Sequence, residues 1–143
     1  MIRNKYLFYL VSFTWGLPLT LVGCIVATVL LITGHKPKKW GYCYYFEVGK
    51  GWGGLELGPF FLVNKNASER TKNHELGHGL QGCWFGPLMP FIVSIPSAIR
   101  YWYRELRAKT GKPCKTSYYS IWFEKQANEL GDQFINWYNN NTK

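Results

Sequence analysis

No charged residue falls between Tyr6 and Thr33, a run longer than the roughly 20 apolar residues that cross a bilayer. Gly16 and Pro18 interrupt it, which predicts a kinked or tilted transmembrane helix. Arg3 and Lys5 precede the run; Lys36, Lys38 and Lys39 follow it. A cleaved leader is the rival reading, because Leu21-Val-Gly-Cys24 has the form of a lipoprotein cleavage box. Ile25 to Ile32 stays apolar where a mature lipoprotein turns polar, so the uncleaved helix is preferred. Residues 1–35 are thus read as an N-terminal transmembrane segment.

Beyond it the period changes to two. Tyr42, Tyr44, Phe46 and Val48 alternate along one face, as do Leu55, Leu57, Phe61 and Val63, with Gly49-Lys-Gly-Trp-Gly-Gly54 between them. This predicts a β-hairpin, with Pro59 marking an edge or a bulge. Such an edge could align an extended peptide, or simply shield the core. Asn64 to Arg70 reads as a polar loop, with Thr71 as N-cap of the next helix. Gly77, Gly79 and Gly82 weaken that helix unless another backbone passes close by.

From Gly79 to Ile99 the chain is again uncharged, but Pro87, Pro90 and Pro96 oppose a regular spanning helix. A re-entrant or interfacial hairpin over 84–99 is expected, with a buried soluble segment as the alternative. Arg100, Arg104, Arg107, Lys109, Lys112 and Lys115 then interleave with Tyr101, Trp102 and Tyr103, the composition of a lipid headgroup boundary. A last helix is predicted from Ser120 to Tyr138, with Phe123, Ala127, Leu130, Phe134 and Trp137 as its apolar stripe and a polar tail to Lys143. The expected fold is mostly α with a small β-hairpin.

Composition narrows the partners. The 143 residues suit one modest core, and 47% hydrophobic with 18% aromatic content accompanies a net charge of +9. That charge suits an anionic membrane surface, and no nucleic-acid-binding fingerprint appears. Cys24, Cys43, Cys83 and Cys114 form no C-x-x-C pair, which disfavours a cysteine zinc site.

The chemistry lies in His74-Glu-Leu-Gly-His78, the His-Glu-x-x-His signature of zinc peptidases. Histidines four apart share a helical face and can meet one metal. Glu75 is turned aside, where it can act as a base instead of a ligand. A third ligand is needed. A metzincin would place a histidine at position 84, which is Trp84, and His35 lies beside the first apolar segment. A carboxylate must complete the site, from Glu105, Glu124 or Glu129. Glu124 shares a helical stripe with Ala127, Asn128 and Gly131, matching His74, Gly77, His78 and Gln81 on the site helix. Two faces so rich in small residues can approach closely, bringing Glu124 to the metal while Asn128 or Gln81 braces an imidazole. Glu105 and Glu129 suit surface ion pairs. Tyr118, Tyr119 and Arg100 are candidate oxyanion donors, and no spacing selects among them.

His74-Glu-Leu-Gly-His78 followed by Glu124-Lys-Gln-Ala-Asn128 resembles the gluzincin peptidases of the CaaX-protease and membrane heat-shock protease type. The chain looks similar to small bacterial membrane proteins sharing the segment Gly53-Gly-Leu-Glu-Leu-Gly58 and the proline segment from Gly86 to Ser97. The resemblance implies a minimal zincin-like metallopeptidase core over 36–143. It also implies zinc at His74, His78 and Glu124, with Glu75 as general base and Asn128 where aspartate is usual. The expected function is a membrane-bound peptidase, in a bacterial inner membrane, acting on peptides or membrane proteins. The lysines after the first segment tilt the catalytic part toward the cytoplasmic side. Two alternatives remain: a zinc-stapled module without catalysis, and a metal-free structural protein.

Overall fold

The computed structural model describes residues 1–142; Lys143, the end of the expected polar tail, lies outside them. Helices dominate, and one small sheet of four strands completes the fold.

The first apolar run forms two helices, α1 (Lys5–Phe13) and α2 (Leu17–Ile32), bent by 96° at the intervening turn. The expected kink is therefore a full break. Asn4 caps α1 by accepting from the Tyr6 and Leu7 N–H groups, and Pro18 sits in the first turn of α2, where its missing N–H costs nothing. Phe8 of α1 is fully buried in the same core as Tyr42, Leu76 and Phe134. The Tyr9 hydroxyl donates to the Tyr42 carbonyl, and the Tyr42 hydroxyl donates to the Arg3 carbonyl. In α2 only Thr20, Gly23 and Ala27 are buried. At 1.5 Å per residue α2 is about 24 Å long, shorter than the roughly 30 Å hydrocarbon layer. No single helix among the described residues is long and apolar enough to cross a membrane.

Strands β1 (Lys38–Trp40), β2 (Cys43–Glu47), β3 (Gly54–Leu57) and β4 (Phe60–Val63) lie in the order β1-β2-β4-β3. The sequence suggested one hairpin from Tyr42 to Val63. Instead β2 pairs in parallel with β4, while Gly58 and Pro59 turn the chain between antiparallel β3 and β4. Pro59 thus occupies a turn, where no ladder N–H is needed. The alternation also slips: Cys43, Tyr45 and Phe46 are buried, whereas Tyr44 and Leu55 are exposed.

Helix α3 (Glu69–Phe85) carries the site motif and α5 (Trp122–Asn141) packs along it. Between them the proline segment stays helical. A 3-10 turn at Gly86–Leu88 and a π-helical stretch at Pro90–Ser94 lead into α4 (Ile95–Lys109), which is bent by 113° from α3. The segment expected to form a re-entrant or interfacial hairpin forms a helical corner. All four cysteines are free thiols.

Candidate metal centre

The cap of α3 is Ser68, whose hydroxyl accepts from the Thr71 N–H at 3.2 Å. The expected cap at Thr71 lies three residues inside the helix. From there the motif rises into the core, and every residue from His74 to Gln81 is buried. The close approach of α3 and α5 depends on two glycines. A β-carbon at Gly77 would overlap the Ala127 carbonyl, and one at Gly131 would overlap the Asn73 carbonyl. With the helices so near, Glu124, fully buried in the first turn of α5, meets both histidines.

Its Oε2 lies 3.1 Å from His74 Nε2 and 3.4 Å from His78 Nε2, and the two Nε2 atoms are 3.1 Å apart. Tetrahedral zinc with ligand bonds of 2.0–2.1 Å separates its donor atoms by about 3.3 Å. The triangle is already of that size.

The tautomers can be read from the neighbours. Gln81 donates from Nε2 to the Phe123 carbonyl and to Gln126 Oε1, each at 2.9 Å. Its Oε1 must then face His78 Nδ1, 2.8 Å away, and accept its proton. Asn128 Oδ1 does the same for His74 Nδ1 at 3.0 Å. With both Nδ1 atoms donating, a neutral ring at either position turns an Nε2 lone pair toward Glu124, and a protonated ring turns an N–H there. When both rings are neutral, three acceptors converge and only a cation can satisfy them together. Consistently, Glu124 Oε2 is the one side-chain nitrogen or oxygen wholly shut off from solvent and without a hydrogen-bond partner among the described residues. A buried group of this kind is costly unless a cation completes it. His74, His78 and Glu124 could therefore hold a metal ion.

Charge states follow the same contacts. Burial opposes ionisation of Glu124, but the imidazoles of His74 and His78, with the Ser97 hydroxyl, hold it well below the usual carboxylate range. Burial lowers the proton affinity of His78, and the contact with Glu124 and the charge of Glu75 more than offset this. Glu75 is pushed upward by burial; the two histidines pull it down and Glu124 adds to the rise.

Glu75 projects from another face of α3, against Gly54 of β3, where any side chain would collide with its carboxylate. It makes no ion pair or hydrogen bond among the described residues. A cavity of about 500 Å3 opens beside it, walled by His74 and His78, by Gly53 to Glu56, and by Val93, Ser97, Tyr101 and Trp102 from the corner and α4. Tyr118 and Tyr119 line it too, and the Tyr119 ring stands edge-on to His74 at 5.1 Å.

Other expectations separate here. Arg100 is removed from the oxyanion candidates, since its guanidinium donates to the Ser117 and Tyr118 carbonyls and to Ser120 Oγ. Glu129 pairs with Lys125 at 3.8 Å on the exposed side of α5. Glu105 makes no ion pair among the described residues and lies on the cavity wall. His35 contacts Thr33, far along the chain from the triad.

Two participants carried no sequence signal. Ser97 donates its hydroxyl to Glu124 Oε1, leaving Oε2 for the histidines. Glu56, which strand alternation opposed to Leu55 and Leu57, points inward and accepts from the Gly58 N–H. Neither protein-family models, nor curated proteins, nor solved structures give a match to this chain.

Proposed function

We propose that the chain is a membrane-associated, zinc-dependent peptidase of the gluzincin type. His74, His78 and Glu124 would hold the ion, and Glu75 would serve as general base. The observation that carries this reading is the convergence of three ligating atoms at 3.1–3.4 Å beside an unpaired carboxylate and an open cavity. Two neutral imidazoles and one carboxylate form a donor set suited to zinc.

A zinc ion bound there supplies Lewis-acid polarisation of a substrate carbonyl and of a water molecule. Glu75 takes the proton from the attacking water and returns it to the leaving amine. Burial raises its proton affinity above that of an ordinary glutamate, which favours its holding the proton between the two transfers. Strand β3 is an edge strand, and Gly54 to Glu56 line the cavity beside Glu75. Its free backbone groups can pair with an extended peptide and present the scissile bond to the base. Gln81, Asn128 and Ser97 orient the ligands.

The zinc-staple alternative requires a closed site. Three ligating groups converge here and the cavity lies beside them, which favours a site with one position open to substrate. The membrane part rests on the exposed apolar surface of α2 and on two bent helix pairs, α1 with α2 and α3 with α4. Each pair together has the length and composition of a span. Substrates would then be membrane or membrane-proximal peptides.

The test is to purify the full chain in detergent, measure zinc per chain and assay peptide cleavage. His74→Ala and Glu124→Ala should lose zinc. Glu75→Gln should keep zinc and lose about 10²–10⁴-fold in rate. Undiminished cleavage by the Glu75→Gln protein would overturn the mechanism, and full zinc retention by Glu124→Ala would overturn the ligand set.

A further inference from the structure

Helix α4 has 15 residues and none is buried. Ile95, Ile99, Trp102 and Leu106 follow at i, i+4, i+7 and i+11, which confines them to about 60° of the helix circumference. They are 48%, 65%, 67% and 63% exposed. Leu88 and Phe91, at the corner just before, are also exposed. A helix of a globular protein normally buries such a stripe; here it is presented outward.

The charge beside the stripe is one-sided. Residues 100 to 115 hold Arg100, Arg104, Arg107, Lys109, Lys112 and Lys115 against the single acid Glu105. Arg100 is committed to the Ser117–Ser120 turn, and Arg107 donates to the Lys112 carbonyl. Lys109, Lys112 and Lys115 are exposed and make no ion pair among the described residues. Tyr103, also exposed, stands between the apolar stripe and Arg107, whose guanidinium lies 6.0 Å from its ring.

We propose that α4 is an interfacial docking helix for an anionic phospholipid surface. The stripe enters the acyl boundary while Lys109, Lys112 and Lys115 engage headgroup phosphates. The proposal rests on the membrane-associated part of the functional reading and is independent of the metal. Anionic lipid answers both features at once, apolar depth for the stripe and negative charge for the lysines. A second copy of the chain would oppose one basic segment with another and add its own +9 charge.

Docking of this kind connects with the cavity. Ser97 and Tyr101 line the cavity from the side of α4 roughly opposite the stripe, at 100° per residue. Trp102 belongs to both surfaces, since it lines the cavity and is exposed on the stripe. Helix α4 therefore forms the partition between lipid and metal centre, and a segment already held at the surface reaches the metal past its Trp102 edge.

The test uses the full chain with Cys24→Ser and Cys114→Ser, nitroxide-labelled at Ile99→Cys, Leu106→Cys or, as a control, Ala108→Cys. Each protein is reconstituted in liposomes of phosphatidylcholine with or without phosphatidylglycerol, and label depth is read from oxygen and nickel-chelate accessibility. With phosphatidylglycerol the labels at 99 and 106 should lie about 5–10 Å below the headgroups, and the label at 108 in water. High salt, omission of phosphatidylglycerol, or Lys109→Glu with Lys112→Glu should move the first two outward. Labels at 99 and 106 in water in every lipid, or equally deep without phosphatidylglycerol, would overturn the proposal. So would dipolar coupling between labels of two chains. The same measurement on the His74→Ala chain separates the readings: docking should persist when zinc is lost, and a docking failure leaves zinc binding intact.

Discussion

Helix α3 shows different chemistry on its two buried faces. Toward α5 it presents His74, Gly77, His78 and Gln81, and almost every polar atom is partnered: both Nδ1 atoms, both ends of the Gln81 amide, and Glu124 Oε1. Toward β3 it presents Glu75, Gly79 and Gly82, and there lie two buried carboxyls, Glu75 and Glu56, the charge of Glu75 adding to the rise in the proton affinity of Glu56. The first face fixes positions. The second holds protons. The proposed hydrolytic centre would use both, a rigid cradle for the ion and a base whose proton affinity has been raised.

The largest effect should come from disturbing the fixed face. Gly77→Val puts branched carbons into the Ala127 carbonyl, a backbone group that cannot step aside without moving α5. We expect a loss above about 3 kcal/mol in stability, with zinc binding lost alongside it, read from denaturant unfolding of the detergent-solubilised protein. Gly82→Ala, on the β3 face, supplies the contrast. Its β-carbon would meet Glu56 Oε1 at 3.7 Å, an ordinary contact, and the change should stabilise α3 by up to about 1 kcal/mol. Equal damage from the two substitutions would erase the distinction between the faces.

The fixed face is also the part most legible in the sequence. Histidines four apart, and the stripe of Glu124, Ala127, Asn128 and Gly131, are local helical patterns, so periodicity alone brings them to one side. The three-residue error in the α3 cap arose because Ser68 and Thr71 both lie in polar surroundings and either hydroxyl suits an N-cap. The β3 face was illegible for a physical reason. Pairing β2 in parallel with β4 is a long-range choice that local alternation cannot show, and Glu56 of β3 is buried against the alternation of Leu55 and Leu57. Gly16 and Pro18 mark the place of the bend between α1 and α2, but its extent stays hidden until Phe8 is seen to join the core. Ser97 reaches Glu124 only because the proline corner folds α4 back over the site.

The proton-holding face makes its own prediction. Burial pushes Glu56 up to about 8 from the ordinary glutamate value of 4.5, with Glu75 adding to the rise and the Gly58 N–H opposing it. Between those values the folded chain keeps a proton that the unfolded chain has released. The contribution to stability is therefore complete below about 4.5 and is lost as pH rises through about 8. Unfolding followed from pH 5 to pH 9 should show falling stability in the native sequence. Glu56→Gln should flatten that fall, because the neutral amide has no proton to lose. A slope unchanged by Glu56→Gln would assign the effect to other groups.

The smallest effect should come from Gly54, where the β3 face meets Glu75, the proposed base. A β-carbon there would press on the Oε1, Cδ and Cγ atoms of Glu75, the free end of a rotatable side chain, which can swing away where a carbonyl could not. Gly54→Ala should therefore cost under about 1 kcal/mol in stability. On the proposed mechanism the displaced carboxylate would no longer line up with the attacking water, and a shift near 1 Å can cost up to about a hundredfold in rate. Since part of the shift can relax through the side-chain torsions, about a tenfold loss of hydrolysis is expected, with zinc content unchanged because His74, His78 and Glu124 are untouched. Loss of zinc in this variant would mean that the two faces of α3 are mechanically coupled, and that the carboxylate against β3 helps to hold the cradle on the other side.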